Sequence, residues 1–217
     1  MNKNTLIIST LAILGMLVFL GGAYLLTSEP EVTEYPELKT TRSIDHSKWS
    51  PEKKILLVEY SDLQCPGCQY AHQLLSQLEK DPDFPTIKEN ITFVYRHFPL
   101  DSIHPNARRA AHTAEAAAKQ GKFFEFSDVL FTNQGEWGPA ENPDEQFMAY
   151  AKSLKLDLDQ LKKDMNSKEM QDRVQSDFLT GTKVNIQGTP TFFLNGKLLE
   201  SPQNVEDLKL LLMKEIK

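Results

Sequence analysis

A chain of 217 residues with 40% hydrophobic and 25% charged side chains carries enough apolar material for a buried core, and its length suits one domain with additions. A formal charge of −6 without any basic stripe argues against a nucleic-acid partner. Two cysteines are too few for a disulfide-built scaffold, and a chain of this length can bury a core without one.

The first 28 residues stand apart. TLIISTLAILGMLVFLGGAYLL is almost wholly apolar, and no charge occurs from Thr5 to Ser28. A membrane helix needs about 20 such residues, more than a removable signal core usually has. Lys3 precedes the run and Glu29, Glu31, Glu34 and Glu37 follow it, so the rest of the chain is expected outside the cytoplasm. The expectation is an uncleaved single-pass anchor over 1–28; small residues at Gly21 and Ala23 keep a cleaved signal open. Residues 29–50, rich in Glu, Thr, Ser and Pro, read as a tether, with the fold starting near Trp49 or Pro51.

KILLVEY, Lys54 to Tyr60, reads as a buried strand. Beyond the cysteines, Tyr70, Ala71, Leu74, Leu75 and Leu78 recur at helical spacing, and the helix ends before DPDFP. ITFVYRH, Ile91 to His97, is a second strand. From about 101 to 181 the pattern is helical: an alanine-rich helix stopping at Gly121, a second helix in KFFEFSDVLF, a loop in NQGEWGPAENP, and helices over 144–154, 158–166 and 168–180. A strand at Thr191 to Leu194, an Asn195-Gly196 turn and a strand at Lys197 to Leu199 form a hairpin, and a helix runs from Asn204 to Ile216. Strand, helix, strand points to a parallel βαβ unit, so the predicted class is α/β with an inserted helical block.

Both cysteines lie in YSDLQCPGCQYAHQLLSQL, where a strand gives way to a helix. A helix N-terminus favours an anion, so Cys65 is expected to be a low-pKa nucleophile and Cys68, a turn further in, the resolving thiol. Pro66 suits the first helical turn. Two other readings compete. A structural disulfide over so short a loop gains little. A metal half-site with His72 lacks a second cysteine pair. In GTPTFFLNG, Pro190 is either a plain strand-start proline or a cis proline.

Together, EYSDLQCPGCQYAHQ and GTPTFFLNG resemble the thioredoxin superfamily. HFPLDSIHPNARRAAHTAEAAAKQGKFFEFSDVLF looks like the helical insertion of the DsbA-like thiol-disulfide oxidoreductases. The resemblance spans about residues 50 to 215 and implies a thioredoxin fold over 51–217 with a helical insertion at about 101–181. It implies that Pro190 is cis and packs against the active-site pair, with Thr189, Pro66 and Gly67 lining the substrate groove. Glu59, six residues before Cys65, matches the family's buried acid and would exchange protons with Cys68; a charge at a solvated strand edge is the other reading.

The resemblance further implies an extracytoplasmic oxidase that works through a Cys65–Cys68 disulfide and needs no other cofactor or metal. Its clients would be cysteine-containing secreted or envelope proteins, and a quinone-linked membrane partner would recharge it. It is expected to be a monomer. Pro66-Gly67 lacks the histidine of strongly oxidising members, so a reductase or isomerase is the alternative, with a thiol metal carrier behind it.

Overall fold

The computed structural model describes residues 2, 13–20, 33–52 and 54–216. The chain divides into two compact units, Met1–Thr33 and Glu34–Lys217. In the first, residues 13–20 are helical; the rest of the expected anchor lies outside the described residues. Among the described residues, no helix is long and apolar enough to cross a membrane.

In the second unit, Ile55–Ser61 forms the central strand of a five-stranded sheet. In chain order the strands are β1 (His46–Trp49), β2 (Ile55–Ser61), β3 (Ile91–His97), β4 (Thr191–Leu194) and β5 (Lys197–Leu199), in the spatial order β1-β3-β2-β4-β5. β2 and β3 run parallel in the register Leu57 to Phe93 and Glu59 to Tyr95, whereas β1 lies antiparallel on β3 and β4 antiparallel on β2. Helix α1 (Pro66–Leu78) and the short α2 (Phe84–Asn90) make the crossover from β2 to β3. The helical block comprises α3 (Ala107–Ala118), α4 (Phe123–Thr132), α5 (Gln134–Trp137), α6 (Asp144–Ser153), α7 (Leu158–Asp164) and α8 (Lys168–Lys183), and α9 (Val205–Ile216) closes the chain. The thioredoxin-type α/β fold with a helical insertion is therefore present.

The apolar alternation of β2 feeds two cores. Leu57 faces α1 and joins the larger core with Leu74, Leu78, Phe93, Phe126 and Trp137. Leu56, Val58 and Tyr60 face the other way, onto Leu38, Val94, Phe98, Val184 and Phe193. Helix α8 comes close enough there that a Cβ at Gly181 would sit 2.6 Å from the Phe98 ring, and Phe178 stacks on Phe98 at 4.7 Å.

The expected tether over 29–50 is a correction. The fold begins at Glu34, not at Trp49 or Pro51: Tyr35 N–H donates to the Gly196 carbonyl at 2.8 Å, Pro36–Leu38 forms a 3₁₀ turn, and β1 adds a strand. The segment lacks apolar periodicity because charge, more than burial, fixes it. Arg42 bonds Asp45, and Arg96 of β3 donates to Asp45 at 2.9 Å. Both Arg42 and Arg173 of α8 reach the fully buried Asp177, with Arg173 at 2.6 Å. Asp177 also accepts the His97 amide at 3.0 Å. Beside it His46 and His97 converge on Glu115 of α3 at 2.9 and 3.1 Å. Burial opposes ionisation of Glu115, but the two imidazoles hold its carboxyl well below the usual range. Helix α2 is a second difference: DPDFP ends one helix, but Pro85 lies in the first turn of the next, where a proline costs nothing.

Asp177 thus joins the N-terminal segment, the sheet and the insertion. Asp177→Ala leaves two half-buried guanidinium groups short of a partner and is expected to cost roughly 3–5 kcal/mol in urea denaturation; a loss within about 0.5 kcal/mol, as for an ordinary surface change, would show that the junction does not bear on stability.

Candidate active site

Cys65 occupies the N-cap of α1 with extended backbone, and Pro66 takes the first helical position. The turn before it is shaped by a residue the sequence reading passed over. Asp62 accepts the Gln64 amide at 2.7 Å, an Asx turn that the SDLQC run could have signalled. Its other oxygen accepts the Leu100 amide at 2.8 Å and lies 2.7 Å from His104 Nδ1. The insertion clamps the same loop: Gln134 Nε2 donates to the carbonyls of Leu63 and Cys65 at 2.8 and 3.1 Å, and the Gln64 side chain links Gly138 and Asn106. These contacts join residues up to 74 positions apart, so spacing along the chain carried no sign of them.

The two sulfurs differ sharply. Both cysteines are thiols here, Cys65 8% exposed and Cys68 fully buried. Cys65 is brought down from its ordinary 9.0 to about 5. The largest cause is the Cys68 thiol donating to its sulfur; the Cys68 amide, the Thr189 side chain and the Gly67 amide add to it against the cost of burial. Cys68 moves the opposite way, well above 9.0, because it is buried and faces Cys65 and Glu59. The Asp62 amide donates to its sulfur at 3.3 Å.

Thr189-Pro190 is a cis peptide, as the resemblance implied, and it closes over the pair: the Cys65 thiol meets the Thr189 carbonyl at 3.3 Å. Gly67 lies so near the loop that a Cβ there would meet Pro190 Cδ at 3.2 Å and the Cys65 sulfur at 3.6 Å. Glu59, only 3% exposed, is not at a solvated edge. Burial lifts its carboxyl to about 7, with Ser61 and Lys48 drawing it down and the Cys65 charge pushing it up. The structure therefore brings together Cys65, Cys68, Pro66, Gly67, Thr189, Pro190 and Glu59. His72 stacks on Phe131 at 4.9 Å, with Nε2 3.7 Å from Asp128. No group of three or more metal-ligating side chains forms among the described residues.

One readily ionised, slightly exposed sulfur beside a buried, proton-holding one suits stepwise disulfide exchange. Alkylation of the reduced protein by iodoacetamide should fall on Cys65 alone, with its rate half-maximal near pH 5. Linkage gives a second expectation. A thiol lowered on folding adds stability that is complete above its unfolded value near 9.0 and lost as pH falls through about 5. The stability gap between reduced and disulfide forms should then shift in favour of the reduced form from pH 5 to 9, as read by thermal unfolding of each; a gap flat with pH would contradict the lowered thiol.

Comparison with known proteins follows the same outline. A sequence profile of the family described as Thioredoxin matches residues 50–214. Among curated relatives, the chain is 36% identical over 169 residues to Na(+)/H(+) antiporter NhaA 3 of Salinispora tropica and 37% identical over 164 residues to NhaA 1 of Salinispora arenicola. The match takes in 78% and 76% of this chain, but the chain spans only 24% of the length of either relative. Of solved structures, BdbD from Bacillus subtilis superposes with a TM-score of 0.71 at 21% identity, over 86% of this chain and 99% of that one. Alpha-DsbA1 from Wolbachia pipientis gives 0.72 at 22% identity, over 83% and 95%. A thioredoxin-like oxidoreductase from Silicibacter pomeroyi gives 0.66 at 24%, over 84% and 98%. These three share the fold, and the profile, running over well more than half of the sequence, shows that this chain belongs to the thioredoxin family.

Proposed function

We propose that this chain is a protein-disulfide oxidoreductase that exchanges disulfides through Cys65 and Cys68, working chiefly as an oxidase. The observation that carries the proposal is the opposed proton affinity of two sulfurs one helical turn apart, with Cys65 down at about 5 and Cys68 pushed up. In the oxidising direction a client thiolate attacks Cys65 Sγ of the Cys65–Cys68 disulfide. That S–S bond breaks, a Cys65–client disulfide forms, and Cys68 leaves as a thiolate and takes up a proton. A second client thiolate then attacks the client sulfur of the mixed disulfide, and Cys65 departs as a thiolate. The client has lost two electrons and the cysteine pair has gained them. A sulfur that is readily ionised is a good leaving group, and its stability favours the reduced protein, which makes the disulfide form oxidising.

Glu59, near 7, can give the proton that Cys68 takes and later recover it. The carbonyl of Thr189 stands beside Cys65, where an extended client chain would lie. The apolar run at 5–28 with its flanking charges supports a membrane-tethered domain outside the cytoplasm. Action as a monomer on secreted or envelope proteins, with recharging by a quinone-linked partner, is what the resemblance to DsbA-like oxidoreductases implies. Antiport belongs to relatives of which this chain spans about a quarter, and it forms no part of the proposal.

Cys68→Ser should trap clients on Cys65 as mixed disulfides visible on non-reducing gels, while Cys65→Ser should trap none. Equal trapping, or none, by the two variants would sink the mechanism. Equilibration in glutathione buffers gives the direction: a potential near about −120 mV supports the oxidase, and one near about −270 mV makes the chain a reductant.

A further inference from the structure

Two buried hydroxyls have no part in the exchange steps as written. Tyr95, 3% exposed, stands on β3 opposite Glu59 in the parallel register and on the same face of the sheet, among the core residues that include Cys68. Ser61, 1% exposed, is two residues along β2 from Glu59. Neither the Tyr95 nor the Ser61 hydroxyl has a well-formed hydrogen bond to protein. Buried polar atoms usually have a partner, and these two stand on the same face of the sheet as one buried carboxyl. The Ser61 hydroxyl nevertheless lies near enough to Glu59 and to Tyr95 to lower the proton affinity of each through hydrogen bonding, and Tyr95 feels the charges of Glu59 and Cys68.

We infer that Tyr95 and Ser61 are positioning residues that carry the proton between the Cys68 sulfur and the Glu59 carboxylate. The inference rests on the exchange reading. When Cys68 resolves a mixed disulfide, its S–H proton passes by way of these hydroxyls to Glu59. The Cys68 thiolate attacks Cys65 Sγ, the Cys65–Cys68 bond forms, and the client sulfur leaves with its electron pair. In the reverse direction the proton returns to Cys68. Tyr95 acts by passing a proton on rather than by ionising, since burial first, then Glu59 and Cys68, push its phenol well above its ordinary value. Other titratable or charged groups near these hydroxyls are Cys65 and Asp62 at the site, Lys48 of β1, and His97, whose ring stands 5.1 Å from that of Tyr95 and whose Nε2 lies 3.1 Å from Glu115. Helix α4 contributes Phe123, which is apolar.

The test separates the two thiol steps. The full-length reduced chain is mixed with glutathione disulfide at several values between about pH 4 and pH 9, quenched with acid and weighed. Attack by Cys65 appears as the glutathione adduct; attack by Cys68 appears as loss of that adduct. In Tyr95→Phe the first step should keep its rate and its midpoint. The second should slow by roughly tenfold or more near neutral pH, with its profile displaced to higher pH. Ser61→Ala should change the second step in the same sense, and serves if Tyr95→Phe folds poorly. If both variants keep the wild-type profile of the second step, or lose both steps alike, the relay is overturned. If the wild-type chain forms no adduct at all, the exchange reading itself has failed. If Glu59→Gln slows the second step while both hydroxyl variants do not, only the relay has.

Discussion

The carboxylate of Asp62 accepts from the Gln64 and Leu100 amides and lies against His104 Nδ1, while its own amide points at the Cys68 sulfur. One residue thereby sets the turn from β2 into α1 and holds the start of the insertion beside it. Cys65 reaches the N-cap only because that turn is made. The insertion returns the constraint through Gln134 and Asn106, which hold the carbonyls and the side chain of the same loop. The helical block is thus the outer wall of the site rather than an appendage to it. It is fixed at its far side by the buried charges around Asp177 and Glu115.

Within that frame the chemistry follows from the depth of each group. A helix start and four donors meet Cys65, the less deeply buried of the two cysteines, so its anion is favoured. Cys68 and Glu59 lie a layer deeper, where no charge is welcome, and both hold protons at a pH that would strip them in water. The same burial that stabilises the sheet therefore divides the labour of the sulfurs. The gradient runs along one line, from the open end of α1 to the middle of β2.

The regular elements were legible because their patterns are local. ITFVYRH, TFFL and KLL appear as strands at their expected residues, and the Asn195-Gly196 turn takes the positive φ values that an NG hairpin requires. The nucleophile was legible for the same reason: CPGC between a strand and a helix states its own electrostatics. Pro190 and Glu59 were legible only through resemblance, since each alone allows a bland interpretation that burial and backbone geometry remove. What escaped was held by long-range polar contacts. Residues 34–49 look like a linker because Arg42 and Asp45 find partners that lie 51 to 135 positions away. Tyr95 and Ser61 look like ordinary strand residues; only the sheet register puts Tyr95 opposite Glu59, while Ser61 shares the Glu59 face two residues along β2.

On the exchange reading, Gly67 shapes the place where a client would lie. With no side chain between the Cys65 sulfur and the cis-proline loop, that flank of the sulfur offers an incoming chain little beyond main-chain atoms and a thin edge of proline. On that reading, a client strand would lie there through its main chain, and its side chains would meet the Thr189-Pro190 loop and the cavity that this loop lines together with Tyr35, Phe193 and Leu198. The missing methyl group of Gly67 leaves room for a backbone beside the sulfur, whatever residue that backbone carries.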